Sequence, residues 1–221
     1  MRTRIKFCGL VRPGDVDVAV ALGADAVGFV LYPKSPRFVT PAEAALLRRR
    51  LPSYVCAVGL VVNEGADAVR SAVGTVGLDV VQFHGDESPD DCERACAGRV
   101  PYWRAVRMRS PGDLLESARR FTNAEALLVD AYSDGYGGSG RGFDWSWIPA
   151  RRERPLVLAG GLAAETVGEA IARVRPMAVD VSSAIQGPDA RSKDAAKMER
   201  FMAAVLAADA HLTAASSPSH R

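Results

Sequence analysis

Short apolar, largely β-branched runs recur along the chain, and a stretch of helical character follows each one. IKF ends at Cys8, AVGFV at Val30, VCAVGLV at Val61, DVVQF at Phe83, YWRAV at Val106, ALLV at Val129, PLVLA at Ala159 and MAVDV at Val181. Successive ends lie 22 to 31 residues apart, the length of one βα unit. Helix starts punctuate the intervals: Thr40-Pro41-Ala42-Glu43 reads as a capping box with Pro at the first helical position, and Ser88-Pro89 and Ser110-Pro111 begin in the same way. Gly23 and Gly98 sit where helices end. Strands alternating with helices imply a parallel sheet, and eight units in this length predict an α/β fold closed into a single (β/α)8 TIM barrel over residues 1–208. An open doubly wound sheet would leave MAVDVSS at an edge, where it is too apolar to sit. From Asp209 onward, DAHLTAASSPSHR has small and polar residues without periodicity, and 209–221 reads as a disordered tail in which His211 and His220 carry no function.

Side chains alternate along a strand, and the helix layer of a barrel demands apolar residues. In DVVQFHG, Val81 and Phe83 therefore face the helices, which turns Gln82 and His84 inward. The same parity sends Lys6 and Cys8 inward from the first strand and Asp180 and Ser182 inward from the eighth, while Asp130 points up into the barrel mouth with Leu128 below it. Cys8, His84, Asp130 and Ser182 stand at or just past C-terminal strand ends, the rim where barrel enzymes carry their chemistry. Lys6 and Asp180 lie one layer lower on adjoining strands, and burial makes them a natural structural ion pair.

Composition narrows the functional classes. The 221 residues are 48% apolar and 24% charged, with 28 Lys and Arg against 26 Asp and Glu, an ordinary globular balance. A net charge of +2 spread along the chain argues against nucleic acid as a partner. No apolar run approaches the roughly 18 residues of a membrane span, and the first ten residues lack a signal-peptide core, so the expected setting is cytoplasmic. The four cysteines read as thiols, and their spacings offer no metal site.

Two glycine clusters follow late strands: Gly160-Gly161 after the seventh, and Gly135 to Gly142 after the sixth. Glycine lets backbone N–H groups approach an anion closely. Placed with Ser182-Ser183 after the eighth strand, the double glycine matches the usual phosphate site of such barrels and predicts a small phosphorylated ligand.

KFCG at 6–9, GADAVGFVLYPKSPRFV at 23–39, DVVQFHGDE at 79–87, LLVDA at 127–131, GGSGRGFDW at 137–145, LAGGL at 158–162 and DVSSAIQ at 180–186 together resemble the phosphoribosylanthranilate isomerase family of tryptophan biosynthesis, in order and on every strand. The resemblance covers residue 4 to about 205. It implies a barrel that performs an Amadori rearrangement of N-(5-phosphoribosyl)anthranilate without metal or organic cofactor, as a monomer or homodimer. By the same resemblance Cys8 is the general base, Asp130 the general acid, Arg37 the contact for the anthranilate carboxylate and His84 a residue lining the site.

The chemistry requires such a pair. Opening the ribose ring takes a proton onto the ring oxygen, and forming the enolamine takes one from C2, so an acid and a base must face each other across the substrate. An aspartate with its ordinary pKa near ~3.9 is ionised at neutral pH, so the site must raise it. The related histidine-pathway or dual-substrate isomerases use two aspartates, one where Cys8 stands, and a catalytically silent phosphate-binding barrel is the third alternative. One stretch departs from the family: the usual SSGVE is here Ser182-Ser183-Ala184-Ile185-Gln186, and PDARSKD follows at 188–194. Ala184 in place of glycine predicts a crowded phosphate cradle, either because that residue has a strained, positive φ or because the phosphate oxygens come close, and Gln186 lacks the family's charge.

Overall fold

A computed structural model describes residues 2–132 and 142–216. Eight parallel strands close into a barrel in strict sequence order, with β1 paired to β8. The strands are β1 (Arg4–Cys8), β2 (Ala26–Val30), β3 (Cys56–Val61), β4 (Val80–Phe83), β5 (Tyr102–Met108), β6 (Ala126–Ala131), β7 (Leu156–Leu158) and β8 (Ala178–Val181). The helices are α1 (Pro13–Ala21), α2 (Pro41–Arg48), α3 (Ala66–Val76), α4 (Pro89–Cys96), α5 (Pro111–Arg120), α6 (Ala164–Val174) and α7 (Ala195–Ser216). The (β/α)8 architecture predicted from the strand spacing is the one observed.

Strand parity divides the core in two. Ile5, Phe7, Val81, Phe83, Val179 and Val181 belong to the large apolar layer between strands and helices. Ala26, Val58, Val80, Trp103, Leu128 and Val157 fill the barrel's lower interior, a packed plug beneath the polar layer. Helix starts follow their local chemistry: Thr40 and Ser88 each accept from the backbone N–H three residues on, with Glu43 and Asp91 returning the bond. No helix of the described residues is long and apolar enough to cross a membrane.

Two features differ from expectation. Among the described residues, the link between β6 and β7 carries a single 3-10 turn, Trp145–Trp147, instead of an α-helix; residues 133–141, which hold most of the Gly135–Gly142 cluster, lie outside the described residues. The expected tail from Asp209 is a correction as well, because α7 runs on through it to Ser216. Asp209 is the anchor: its carboxylate accepts from the Thr3 N–H at 2.6 Å and from the Thr3 hydroxyl at 2.7 Å. The last helical turns are thereby tied to the residue just before β1, a long-range bond that local composition does not disclose. Residues 217–221, including His220, lie outside the described residues.

Candidate active site

Cys8, Arg37, His84, Asp130, Gly160, Gly161, Ser182 and Ser183 all line one cavity at the C-terminal mouth of the barrel. The residues singled out in the sequence are thus brought together from the ends of β1, β4, β6, β7 and β8 and from the loop after β2.

Beneath the mouth lies a charged floor. The Lys6 ammonium donates to Asp180 Oδ2 at 2.9 Å and to Gln82 Oε1 at 3.0 Å, which confirms the expected ion pair. Burial opposes the ammonium, but Asp180 and Cys8 outweigh it and hold Lys6 above the ordinary lysine value. The chain of contacts continues upward. Gln82 Nε2 lies 3.1 Å from His84 Nδ1, and His84 Nε2 lies 3.5 Å from Asp130 Oδ2.

Burial perturbs each titrating group at the mouth. It pushes the Cys8 thiol up, with Lys6 pulling it back and Asp180 pushing further. It pushes His84 down to about 3, helped by Lys6, Arg104 and Arg107, so the imidazole is neutral at physiological pH. It raises Asp130 to about 6, assisted by the Asp180 charge and opposed by the Ala131 N–H, which donates to Oδ1 at 2.8 Å. Asp130 is therefore a carboxyl with an accessible proton near neutrality, the property an acid catalyst needs. Its close neighbour requires glycine: a Cβ at Gly160 would stand 2.4 Å from the Ala131 nitrogen and 2.9 Å from Asp130 Oδ1.

Gly160 and Gly161 both hold positive φ, at 80° and 68°, and lead into the N-terminus of α6, where N–H groups and the helix dipole favour an anion. Across from them the Ser182 hydroxyl donates to the Cys8 carbonyl at 2.9 Å. The strain expected at Ala184 is absent: among the described residues only Asn63, Ala97 and Arg175 have positive φ outside glycine. Ala184 packs at the edge of the core and does not line the cavity, so its methyl group fits without crowding the cradle.

One residue beside this site escaped sequence reasoning, and another was noted without its partner. Lys193 is buried, with Nζ donating to the Ser182 carbonyl at 2.9 Å and to its hydroxyl at 3.3 Å; burial and then Arg37 lower it to about 8. The Lys193-Asp194 pair at the end of PDARSKD was the available signal. Gln186 accepts from Arg37 Nη2 at 2.8 Å, so its neutral amide orients the guanidinium without neutralising it. Arg37 Nε is buried and finds no hydrogen-bond partner among the described residues. No group of three or more His, Cys, Asp or Glu side chains among the described residues is arranged to hold a metal ion.

The model of the N-(5'-phosphoribosyl)anthranilate isomerase family matches residues 5–204. The chain belongs to this family. It is 53% identical over 216 residues to the N-(5'-phosphoribosyl)anthranilate isomerase of Leptothrix cholodnii, covering 98% of this chain and 96% of that one. The crystal structure of phosphoribosyl anthranilate isomerase from Thermotoga maritima is similar with a TM-score of 0.86 and 38% identity, covering 93% of this chain and 99% of that one. A further isomerase structure, in complex with reduced 1-(o-carboxyphenylamino)-1-deoxyribulose 5-phosphate, gives a TM-score of 0.82 at 35% identity and covers 93% of this chain and 99% of that one.

Proposed function

We propose that the chain isomerises N-(5'-phosphoribosyl)anthranilate to 1-(2-carboxyphenylamino)-1-deoxyribulose 5-phosphate in tryptophan biosynthesis, with Asp130 as general acid and Cys8 as general base. The observation that carries the assignment of roles is the environment of Asp130, a buried carboxyl raised to about 6 on the wall of the cavity that Cys8 also lines.

The reaction runs in proton steps. Asp130 gives its proton to the ring oxygen while the anthranilate nitrogen pushes its lone pair toward C1, breaking the C1–O bond and leaving an iminium. The Cys8 thiolate then takes the C2 proton, and the electron pair of that bond moves to neutralise the iminium as an enolamine. Protonation at C1 and loss of the C2 hydroxyl proton give the ketone.

Gly160, Gly161, Ser182, Ser183 and the α6 N-terminus supply the phosphate cradle in this reading. Arg37, whose guanidinium is oriented through Nη2 by Gln186 at 2.8 Å, takes the anthranilate carboxylate as a planar donor; His84 lines the site between acid and floor. The enzyme acts as a monomer or homodimer in the cytoplasm, and light scattering distinguishes the two states. The direct test is loss of the substrate's anthranilate fluorescence on adding the purified protein. Absence of turnover in the folded protein would leave it a phosphate-binding barrel.

A further inference from the structure

The contacts at the floor and wall of the cavity fix more than distances. Lys6 carries only donors, so the Gln82 atom that faces it at 3.0 Å is the carbonyl oxygen. The other end of the same amide, the NH2 group, then faces His84 Nδ1 at 3.1 Å. An NH2 group can only donate in that direction, so Nδ1 accepts and carries no hydrogen. A neutral imidazole without a proton on Nδ1 has it on Nε2, the nitrogen that stands 3.5 Å from Asp130 Oδ2. A doubly protonated ring is excluded by the same contact, because its Nδ1–H would point at the Gln82 NH2 group. All four side chains are buried.

We propose that Gln82 is a positioning residue that selects the Nε2–H tautomer of His84 and thereby directs the Asp130 proton to substrate. The alternative tautomer would aim an imidazole lone pair at Asp130. That lone pair would hold the carboxyl proton in an O–H···N bond and compete with the ring oxygen of the substrate for it. The Nε2–H tautomer offers a donor instead, which does not compete for the proton and receives the carboxylate once it has left. Gln82 does this at one remove: it touches Lys6 and His84, and its orientation is dictated by the Lys6 charge, itself neutralised by Asp180 at 2.9 Å. The Lys6–Asp180 ion pair thus also sets the polarity of a hydrogen-bonded chain that ends at His84, whose Nε2 stands 3.5 Å from the acid. Arg104 and Arg107 are further cations that disfavour a charged ring.

The inference rests on Asp130 being the acid, and its test separates the two. Long-range 15N–1H spectra of the ligand-free protein report which nitrogen of His84 is protonated, independently of turnover, with His84→Gln identifying the resonances. Wild type should show protonated Nε2 and unprotonated Nδ1 at pH 7. In Gln82→Glu the carboxylate keeps Lys6 as donor but offers only acceptors to His84, so the proton should move to Nδ1. In that variant kcat should fall roughly tenfold or more, part of the 10²–10⁴ range that an acid catalyst supplies, while affinity for the reduced product analogue stays within about twofold. Gln82→Met, which removes the donor without adding charge, should give mixed tautomers and an intermediate loss, and it carries the same comparison if the Glu variant does not fold. A wild-type His84 protonated on Nδ1 overturns the proposal. A tautomer change that leaves kcat intact, or a loss of kcat with the tautomer unchanged, overturns it too. Full turnover in Asp130→Asn would instead remove the acid assignment while leaving the tautomer result standing.

Discussion

Asp130→Asn should make the folded protein more stable while disabling it. The Asp130 carboxyl titrates at about 6 in the folded chain against an ordinary 3.8. Its raised value means that the folded state binds a proton that the unfolded state has released between those two pH values. Stability is therefore lost as pH rises from 3.8 to 6, and the full penalty applies above 6. At about 1.4 kcal/mol per pH unit the gap corresponds to about 3 kcal/mol at pH 7 and about 1 kcal/mol at pH 4.5. The amide introduced by the substitution keeps the shape and can still accept from the Ala131 N–H but has no charge to bury. With a urea dependence of about 1–3 kcal/mol per molar, the variant's unfolding midpoint should lie about 1 M or more above wild type at pH 7, and the advantage should shrink to about a third at pH 4.5. With Asp130 as the proposed acid, turnover should fall by ~10²-fold or more, the stability given up at this position then serving the chemistry. A variant no more stable than wild type at pH 7, or one whose advantage is equal at both pH values, would refute the claim that Asp130 is held protonated against its ordinary ionisation.

The same two groups shape the pH dependence of kcat/KM. Asp130 loses its proton above about 6 while Cys8, raised above the ordinary thiol value, gains thiolate; between pH 7 and 8 the protonated acid falls roughly ninefold as the thiolate rises roughly tenfold, and wild type should be flat. Residual activity of Asp130→Asn, freed of the falling limb, should climb roughly tenfold over that range in a steady-state assay, and a flat residual profile would show that Cys8 is not the titrating base. Lys6→Met leaves the Asp180 carboxylate buried and uncompensated, so urea unfolding should show a loss of about 3–5 kcal/mol, largely recovered by adding Asp180→Leu; an unchanged midpoint in the single variant would mean the pair contributes nothing to the fold.

Much of this molecule is legible in its sequence because period-2 alternation and barrel closure leave few choices. Once Val81 and Phe83 are assigned to the helix layer, Gln82 and His84 must face inward, and Ile5 with Phe7 does the same for Lys6 and Cys8. What alternation cannot report is a bond between elements far apart in the chain. Asp209, inside the helix that runs to Ser216, is bonded to Thr3, 206 residues away; the partnership of Gln186 with Arg37 joins positions 149 apart. The strain expected at Ala184 failed for a related reason: a glycine in a family pattern marks freedom of the backbone without showing that this loop uses it. Lys193 was hidden by its charge, since a lysine in a polar loop reads as solvated until Ser182 is seen to accept from it. The 3-10 turn between β6 and β7 shows that spacing registers the length of a crossover and leaves its conformation open.

The central claim, that Cys8 takes the C2 proton and Asp130 supplies the other, is tested most directly by single-turnover conversion of N-(5'-phosphoribosyl)anthranilate, protonated or deuterated at C2, by wild type and Cys8→Ser. Wild type should convert the substrate with a slower rate for the deuterated form. The serine variant should bind the reduced product analogue normally, yet convert either substrate at least ~10²-fold more slowly, the lower range for loss of a general base. A Cys8→Ser protein that turns over at the wild-type rate would contradict the account.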